Sequence, residues 1–350
     1  MPTAPAAPRR RTLLGSLLLA GAGLSGCGVR WVSGPEPTPT ADPGPDDLAR
    51  GAAVAGTRSL LDLLVPAASG PAPLRAAAEE GVRVCRAHLV ALGADGTPAP
   101  SPTSPSAAPD AASDAAPDAQ TVVDRLTAGA TSALAAAAAS PGAVSGGLAR
   151  LLASIAASRA VLADAVATAT GSAAGPVGLP PVAAAVASPT ATGPADPAAD
   201  EPADESTVGP LQAALAGEHA AVFAFGLVVA RLAGPRRTEA AGDLAAHRVA
   251  RDDLVDRITA AGATPVRSAP GYDVDAPTAE AALALAASVQ ERLTALYAAV
   301  AAGPTTERAL GAAAVVTAAR GARRWGSTVA AFPGLPGLTE DGSPAPTATP

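Results

Sequence analysis

A cysteine near the amino terminus carries the clearest chemical signature in this 350-residue chain. Cys27 ends the stretch Leu24-Ser25-Gly26-Cys27, which follows three arginines at 9–11 and an apolar run from residue 13. A basic segment, a short apolar segment and a small-residue cleavage site, in this order, are typical of an export signal, and a cysteine at the cleavage position accepts a lipid. The pattern predicts a signal peptide over residues 1–26 and a lipid anchor on Cys27.

Two of the arginines, Arg10 and Arg11, indicate the export route. With Thr12-Leu13-Leu14 they resemble the twin-arginine motif, which directs folded proteins across the membrane. The alternative is an ordinary basic segment that leads to the general secretion path. On either route the apolar run is too short for a retained transmembrane helix. We therefore expect the mature chain on the extracytoplasmic face of the cell membrane, anchored in membrane lipid by its acyl chains.

A second set of candidate residues interrupts apolar positions in the last third of the chain. Apolar residues recur there in alternating steps of three and four, which is the face that a bundle helix turns toward its partners. Polar residues on these faces are expected to lie inside the bundle and to form an interior polar cluster. The polar residues are Glu218, His247, Arg251 and Gln290, and Arg323 flanks the fourth apolar face.

Helices must position these residues. The last third predicts four of them, near 209–233, 237–262, 278–302 and 305–330, separated by glycine and proline. Alanine-rich blocks earlier in the chain predict four more, near 46–65, 72–93, 119–139 and 147–169. Almost no alternation of β-branched or aromatic residues indicates a strand. The sequence therefore predicts an all-α protein.

Proline-rich stretches without apolar periodicity divide the chain, and they cannot bury enough surface to offset the entropy of ordering. Arg83–Val90 aligns with Arg248–Val255 and shares both arginines and a Leu-Val pair, which indicates a repeated bundle unless the match is chance. The predicted organisation is a signal peptide (1–26), a lipid-anchored disordered tether (27–45), a helical domain (46–170) with a disordered insert (96–118), a disordered linker (171–208), a four-helix bundle (209–333) and a disordered tail (334–350).

Composition excludes several function classes. All 24 basic residues are arginines, and removal of the three in the leader leaves 21 against 31 acids, a net charge of −10. Such an acidic chain argues against nucleic acid as a partner. Cys85 is the one cysteine left after lipidation, so we expect no internal disulfide and a buried thiol there. Neither a phosphate loop nor a nucleophile triad is present, so no catalytic residue is predicted.

Four motifs stand out in the last third of the chain: Leu-Gln-Ala-Ala-Leu-Ala-Gly-Glu-His at 211–219, Phe-Ala-Phe-Gly at 223–226, Ala-His-Arg at 246–248 and Ala-Phe-Pro-Gly-Leu-Pro at 331–336. Together they resemble a ferritin-like domain family of unknown function from actinobacterial lipoproteins. The resemblance spans about residues 209–338 and implies a ferritin-like four-helix bundle without an established activity. Phe223 and Phe225 replace the two tyrosines common in that family, so two hydroxyls are missing.

Ferritin-like bundles can hold a di-iron centre, which needs a carboxylate from each of two helices and a Glu-x-x-His pair from each of the others. Glu218 and His247 supply too few of these ligands, because Leu244 and Gln290 stand where glutamates are needed. We therefore expect a polar cluster in which Arg251 or Arg323 neutralises Glu218. The alternative is a mononuclear site for iron or another transition metal at Glu218 and His247, completed by Glu291 or His219.

Two function classes follow. The first is a membrane-tethered binding or structural module without catalysis or cofactor, whose partner is a protein of the cell envelope. Its tether after Cys27 would act as a spacer. The second is a metal-binding or redox protein that keeps a reduced ferritin-like site.

Overall fold

The structure, a computed structural model, describes residues 43–94, 117–140, 142–179, 205–303 and 307–346. These residues contain eight α-helices and no strand, which confirms the all-α prediction for this part of the chain. All of the described residues belong to one compact unit. The helices are α1 (Pro45–Ala67), α2 (Ala72–Ala91), α3 (Ala119–Ala137), α4 (Gly146–Thr170), α5 (Glu205–Arg231), α6 (Gly234–Ala260), α7 (Ala279–Ala302) and α8 (Arg308–Trp325).

Local signals set the helix ends. Three helices begin after a residue whose side-chain oxygen accepts a hydrogen bond from a free amide of the first turn: Asp118 before α3, Ser145 before α4 and Thr278 before α7. Gly171 and Gly326, at φ of 72° and 118°, end α4 and α8 in the left-handed conformation that glycine adopts without strain. The predicted helices therefore lie within a few residues of the observed ones.

The two halves of the chain pair their helices in the same way. In the first half α1 packs on α2 and α3, and α3 packs on α4; in the second half α5 packs on α6 and α7, and α7 packs on α8. The shared plan is what an internal repeat predicts. One pairing differs between the halves. Helix α2 packs against α4, whereas the equivalent helices α6 and α8 do not pack along their length. This difference leaves a groove between α6 and α8.

Helix α4 joins the two halves. It packs on α2 and α3 and also on α7 and α8, so that one hydrophobic core runs through both halves. Leu152 and Ile155 of α4 share this core with Leu215 of α5 and Val315 of α8. An ion pair between Arg320 and Asp164 also links α8 to α4.

Parts of two segments that were predicted to be disordered are ordered. Residues 205–208, at the end of the predicted linker, belong to α5, and Val208 is buried in the core. Residues 334–346 of the predicted tail fold back over the helices, and an isolated antiparallel β-bridge joins Leu338 to Pro344. The physical reason is packing, since Phe332 and Leu335 are buried in the same core.

The lipidation site Cys27 and the export arginines Arg10 and Arg11 lie outside the described residues. So do residues 27–42 of the tether, 96–116 of the insert and 180–204 of the linker. Among the described residues, α4 and residues 208–231 of α5 are long and apolar enough to span a membrane. Core helices of globular proteins share this length and composition, and most of the apolar part of α4 is buried inside the protein.

Candidate functional site

A buried carboxylate lies at the bottom of the groove between α6 and α8. Glu218 of α5 is 2 % exposed and accepts two hydrogen bonds. The Tyr297 hydroxyl of α7 donates to Oε1 at 2.7 Å, and Nδ1 of His247 on α6 lies 2.8 Å from Oε2. Burial, together with the neighbouring Glu218 carboxylate, raises the pKa of the Tyr297 hydroxyl far above its ordinary value. Tyr297 therefore remains a hydrogen-bond donor across the physiological pH range.

A fourth polar side chain, Gln290, joins Glu218, His247 and Tyr297; we call these four residues the cluster. The amide nitrogen of Gln290 on α7 lies 3.1 Å from Nε2 of His247. Helix α8 presses on this amide through Gly321, where an added Cβ would lie 2.8 Å from Cδ of Gln290. The phenyl ring of Phe225 packs against the imidazole at a centroid distance of 4.9 Å. All four helices of the second half therefore fix the cluster.

The hydrogen-bond pattern assigns the protons of the cluster. The amide nitrogen of Gln290 can only donate, so Nε2 of His247 accepts from it. Nδ1 of the imidazole then donates to Glu218. The two direct partners of Glu218, Tyr297 and His247, therefore both donate hydrogen bonds to its carboxyl group.

Ion pairs cross the groove toward both of its ends. At one end Arg324 of α8 pairs with Asp243 of α6 through both carboxylate oxygens, at 2.6 and 2.7 Å, and the Trp325 indole donates to the same carboxylate at 2.7 Å. Toward the other end Arg257 of α6 pairs with Glu307, which immediately precedes α8. The middle of the groove stays open between these ties.

We call this open middle the slot; it is a cavity of about 380 Å³. Its polar lining comes from the cluster, from Thr317 and from the Asp243–Arg324 pair. Its remaining lining is apolar, and most of it consists of alanines that leave space because their side chains are short. The apolar lining residues are Ala246, Ala250, Leu293, Leu310, Ala313, Ala314 and Ala318.

The structure brings together some of the predicted site residues and separates others. Glu218, His247 and Gln290 meet at the bottom of the slot. Arg251 instead pairs with Asp252 beside it on α6, at 2.7 Å. Arg323 lines a different cavity, with Asp164 and Arg320, between α4, α6 and α8. Among the described residues no arginine contacts Glu218, and the Tyr297 hydroxyl and the His247 imidazole take the place predicted for the arginine.

The predicted metal ligands are also dispersed. Glu291 is exposed and lines a cavity next to the carboxy-terminal segment, while His219 is partly exposed and contacts the Val266 carbonyl at 3.2 Å. Within the described residues, no three His, Cys, Asp or Glu side chains come together in a metal-binding group. A donor set of Glu218 and His247, already hydrogen-bonded to each other, does not fit a dinuclear centre.

A second buried polar cluster, which periodicity did not reveal, lies in the first half. Arg159 of α4 is 2 % exposed and donates to the Gly129 carbonyl and the Thr57 hydroxyl. Burial lowers the pKa of His88 on α2 to about 3, and Arg159 adds to the effect. Cys85 is a free buried thiol, as predicted, and burial raises its pKa to about 11.

The sequence did not reveal three features of the slot and of the polar cluster at its base. Tyr297 occupies an apolar position of its helix, and the residue pattern does not reveal that its hydroxyl points at Glu218. Gly321 is one of many small residues in α8. The Asp243–Arg324 ion pair depends on the distance between α6 and α8, and no local sequence pattern determines that distance.

Residues 210–337 match the model of a family described as a domain of unknown function (DUF4439). The match begins in α5, ends in the carboxy-terminal segment and includes every residue that lines the slot. The chain matches no curated protein and no solved structure.

Proposed function

We propose that this chain is a lipoprotein, anchored by Cys27 on the extracytoplasmic face of the cell membrane, whose ferritin-like helical domain binds a small ligand without transforming it. The slot is the observation that carries the proposal. A cavity of this size, mainly apolar with a few convergent polar groups, is typical of ligand sites. The absence of a nucleophile pair or metal group around it, within the described residues, favours binding over catalysis.

The membrane anchor rests on the amino-terminal sequence. The order of arginines, apolar run and Cys27 supports lipid attachment after export, with Arg10 and Arg11 directing the folded chain. A folded domain on a tether can present its slot to ligands or to a partner protein of the envelope. Substitution of Cys27 by Ala should abolish labelling by a radioactive fatty acid, because the thiol accepts the lipid. Labelling of the variant at the wild-type level would contradict the anchor.

Binding in the slot can be tested on protein purified from its own envelope. Native mass spectrometry should detect a small molecule that leaves when the slot is filled by Ala250→Leu. The matched control is Ala245→Leu, on the exposed face of the same helix, which should keep the molecule. Equal retention by both variants would place the ligand elsewhere, and an unliganded wild-type protein that also binds no added probe would contradict the function.

A second candidate is a metal-binding or redox protein. The specific observation in its favour is the approach of Glu218 to His247 beside a cavity. Elemental analysis of the purified protein distinguishes the two candidates. One or more irons per chain, lost on Glu218→Ala together with His247→Ala, would replace the ligand-binding proposal by the metal-binding one.

A further inference from the structure

We propose that the slot binds an organic cation, a primary ammonium group on a short apolar chain, with its nitrogen beside Glu218. This inference rests on the proposed binding function and adds the chemical class of the ligand. It follows from the charges of the lining, the free hydrogen-bonding capacity of Glu218 and the nature of the walls.

The charges of the lining favour a cation. Glu218 and Asp243 are its acids, and Arg324 is its one arginine. Arg324 is held by both oxygens of Asp243, so this pair neutralises itself. The hydrogen-bond partners of Glu218 are the Tyr297 hydroxyl and the His247 imidazole, and no arginine of the described residues pairs with it. A buried carboxylate is costly to keep charged, and a bound ammonium group would pair with it.

Glu218 also has unused acceptor capacity. A carboxylate offers about four acceptor positions, and the protein fills one on each oxygen. An ammonium group has three donors and no acceptor, so it complements the remaining positions. A carboxylate or phosphate ligand would instead be repelled by Glu218, and Arg324 is already engaged by Asp243.

The walls define the rest of the ligand. Five alanines and two leucines line the slot beyond its polar floor. Such walls offer an apolar chain van der Waals contact and remove it from water, at about 0.8 kcal/mol per CH₂ by transfer measurements. An ammonium ion without an apolar chain, or an inorganic cation, would leave these walls without a partner.

The test uses the mature chain, residues 27–350, with calorimetric titration of n-hexylamine, 1-hexanol and hexanoate at neutral pH. The three probes share the chain length and differ in charge. We expect the amine to bind about tenfold or more tighter than the alcohol, because it adds charge-assisted hydrogen bonds to Glu218, and hexanoate not to bind. If the alcohol or hexanoate binds as tightly as the amine, the slot does not select a cation, and the proposed ligand-binding function is unaffected.

Two variants assign the effect to this site. Glu218→Gln should weaken amine binding about tenfold and bring it close to that of hexanol, while Glu291→Gln, outside the slot on α7, should change nothing. Ala314→Leu fills the slot without touching the cluster and should abolish binding of both probes. Amine affinity that survives Glu218→Gln overturns the inference, and wild-type protein that binds none of the probes contradicts the proposed function itself.

Discussion

Removal of the Tyr297 hydroxyl should destabilise the protein more than its size suggests. In the variant Tyr297→Phe, Oε1 of Glu218 loses its donor and stays buried. A buried acceptor that loses its hydrogen-bond donor costs about 1–3 kcal/mol, so we expect the free energy of unfolding to fall by about 2 kcal/mol. Urea unfolding followed by circular dichroism measures this value.

The chain contains a matched control in its second tyrosine. The Tyr272 hydroxyl makes only long hydrogen bonds, at 3.3 and 3.4 Å, in an exposed loop. Tyr272→Phe should therefore cost less than about 0.5 kcal/mol. Arg251→Gln should be equally mild, because the partner of Arg251 is Asp252 and not Glu218.

A double-mutant cycle isolates the charge. In a Glu218→Gln background the buried carboxylate is gone, so Tyr297→Phe should cost about 1 kcal/mol less than in the wild type. A Tyr297→Phe cost equal to that of Tyr272→Phe, or no coupling to Glu218, would refute the account of the cluster. A large cost for Arg251→Gln would favour the arginine partner that the sequence predicts.

Three further predictions concern other parts of the fold. Gly321→Ala should destabilise the protein by about 1–3 kcal/mol in the same assay, because the added Cβ would displace Gln290. Gly242→Ala, on the open surface of α6, should be neutral or stabilising. Equal effects of the two variants would contradict the close packing of α8 on the cluster. Below pH 6.5 the unfolded chain protonates His88 while the folded chain resists protonation to about pH 3, so stability should fall as the pH falls through this window. Between pH 7.5 and 5 the wild type should lose about 2 kcal/mol more than His88→Gln, and parallel losses would show that His88 titrates normally when folded. Deletion of residues 330–350 should lower the free energy of unfolding by about 3 kcal/mol or more, because it removes the buried side chains of Phe332 and Leu335. It also removes the carbonyl oxygens that accept hydrogen bonds from His88, Ser154 and Ser158. An unchanged urea midpoint would contradict the role of this segment.

The fold was largely predictable because the signals that form it are local. Apolar steps of three and four identified the interior faces of the helices, and glycine, proline and capping residues marked their ends. The same periodicity placed Glu218, His247 and Gln290 inside, where the structure has them. These residues meet because bundle helices align their interior faces at similar heights.

The remaining features depend on contacts distant in sequence. An arginine near an apolar face can reach several acids, and Arg251 and Arg323 turn away from Glu218. The slot exists because α6 and α8 are held apart along their middle, which neither helix encodes alone. The order of residues 334–346 comes from the buried Leu335 and the partly buried Leu338, in a segment whose proline and glycine content indicated disorder.

The most direct test of the central claim, that the slot is the binding site, is a crystal structure of the mature chain, residues 27–350, with n-hexylamine. The account predicts density for the ligand between α6 and α8, with its nitrogen about 3 Å from the Glu218 carboxylate and its chain along the alanine walls. Ligand density at another cavity of the protein, or an empty slot in crystals soaked at saturating amine, would contradict it.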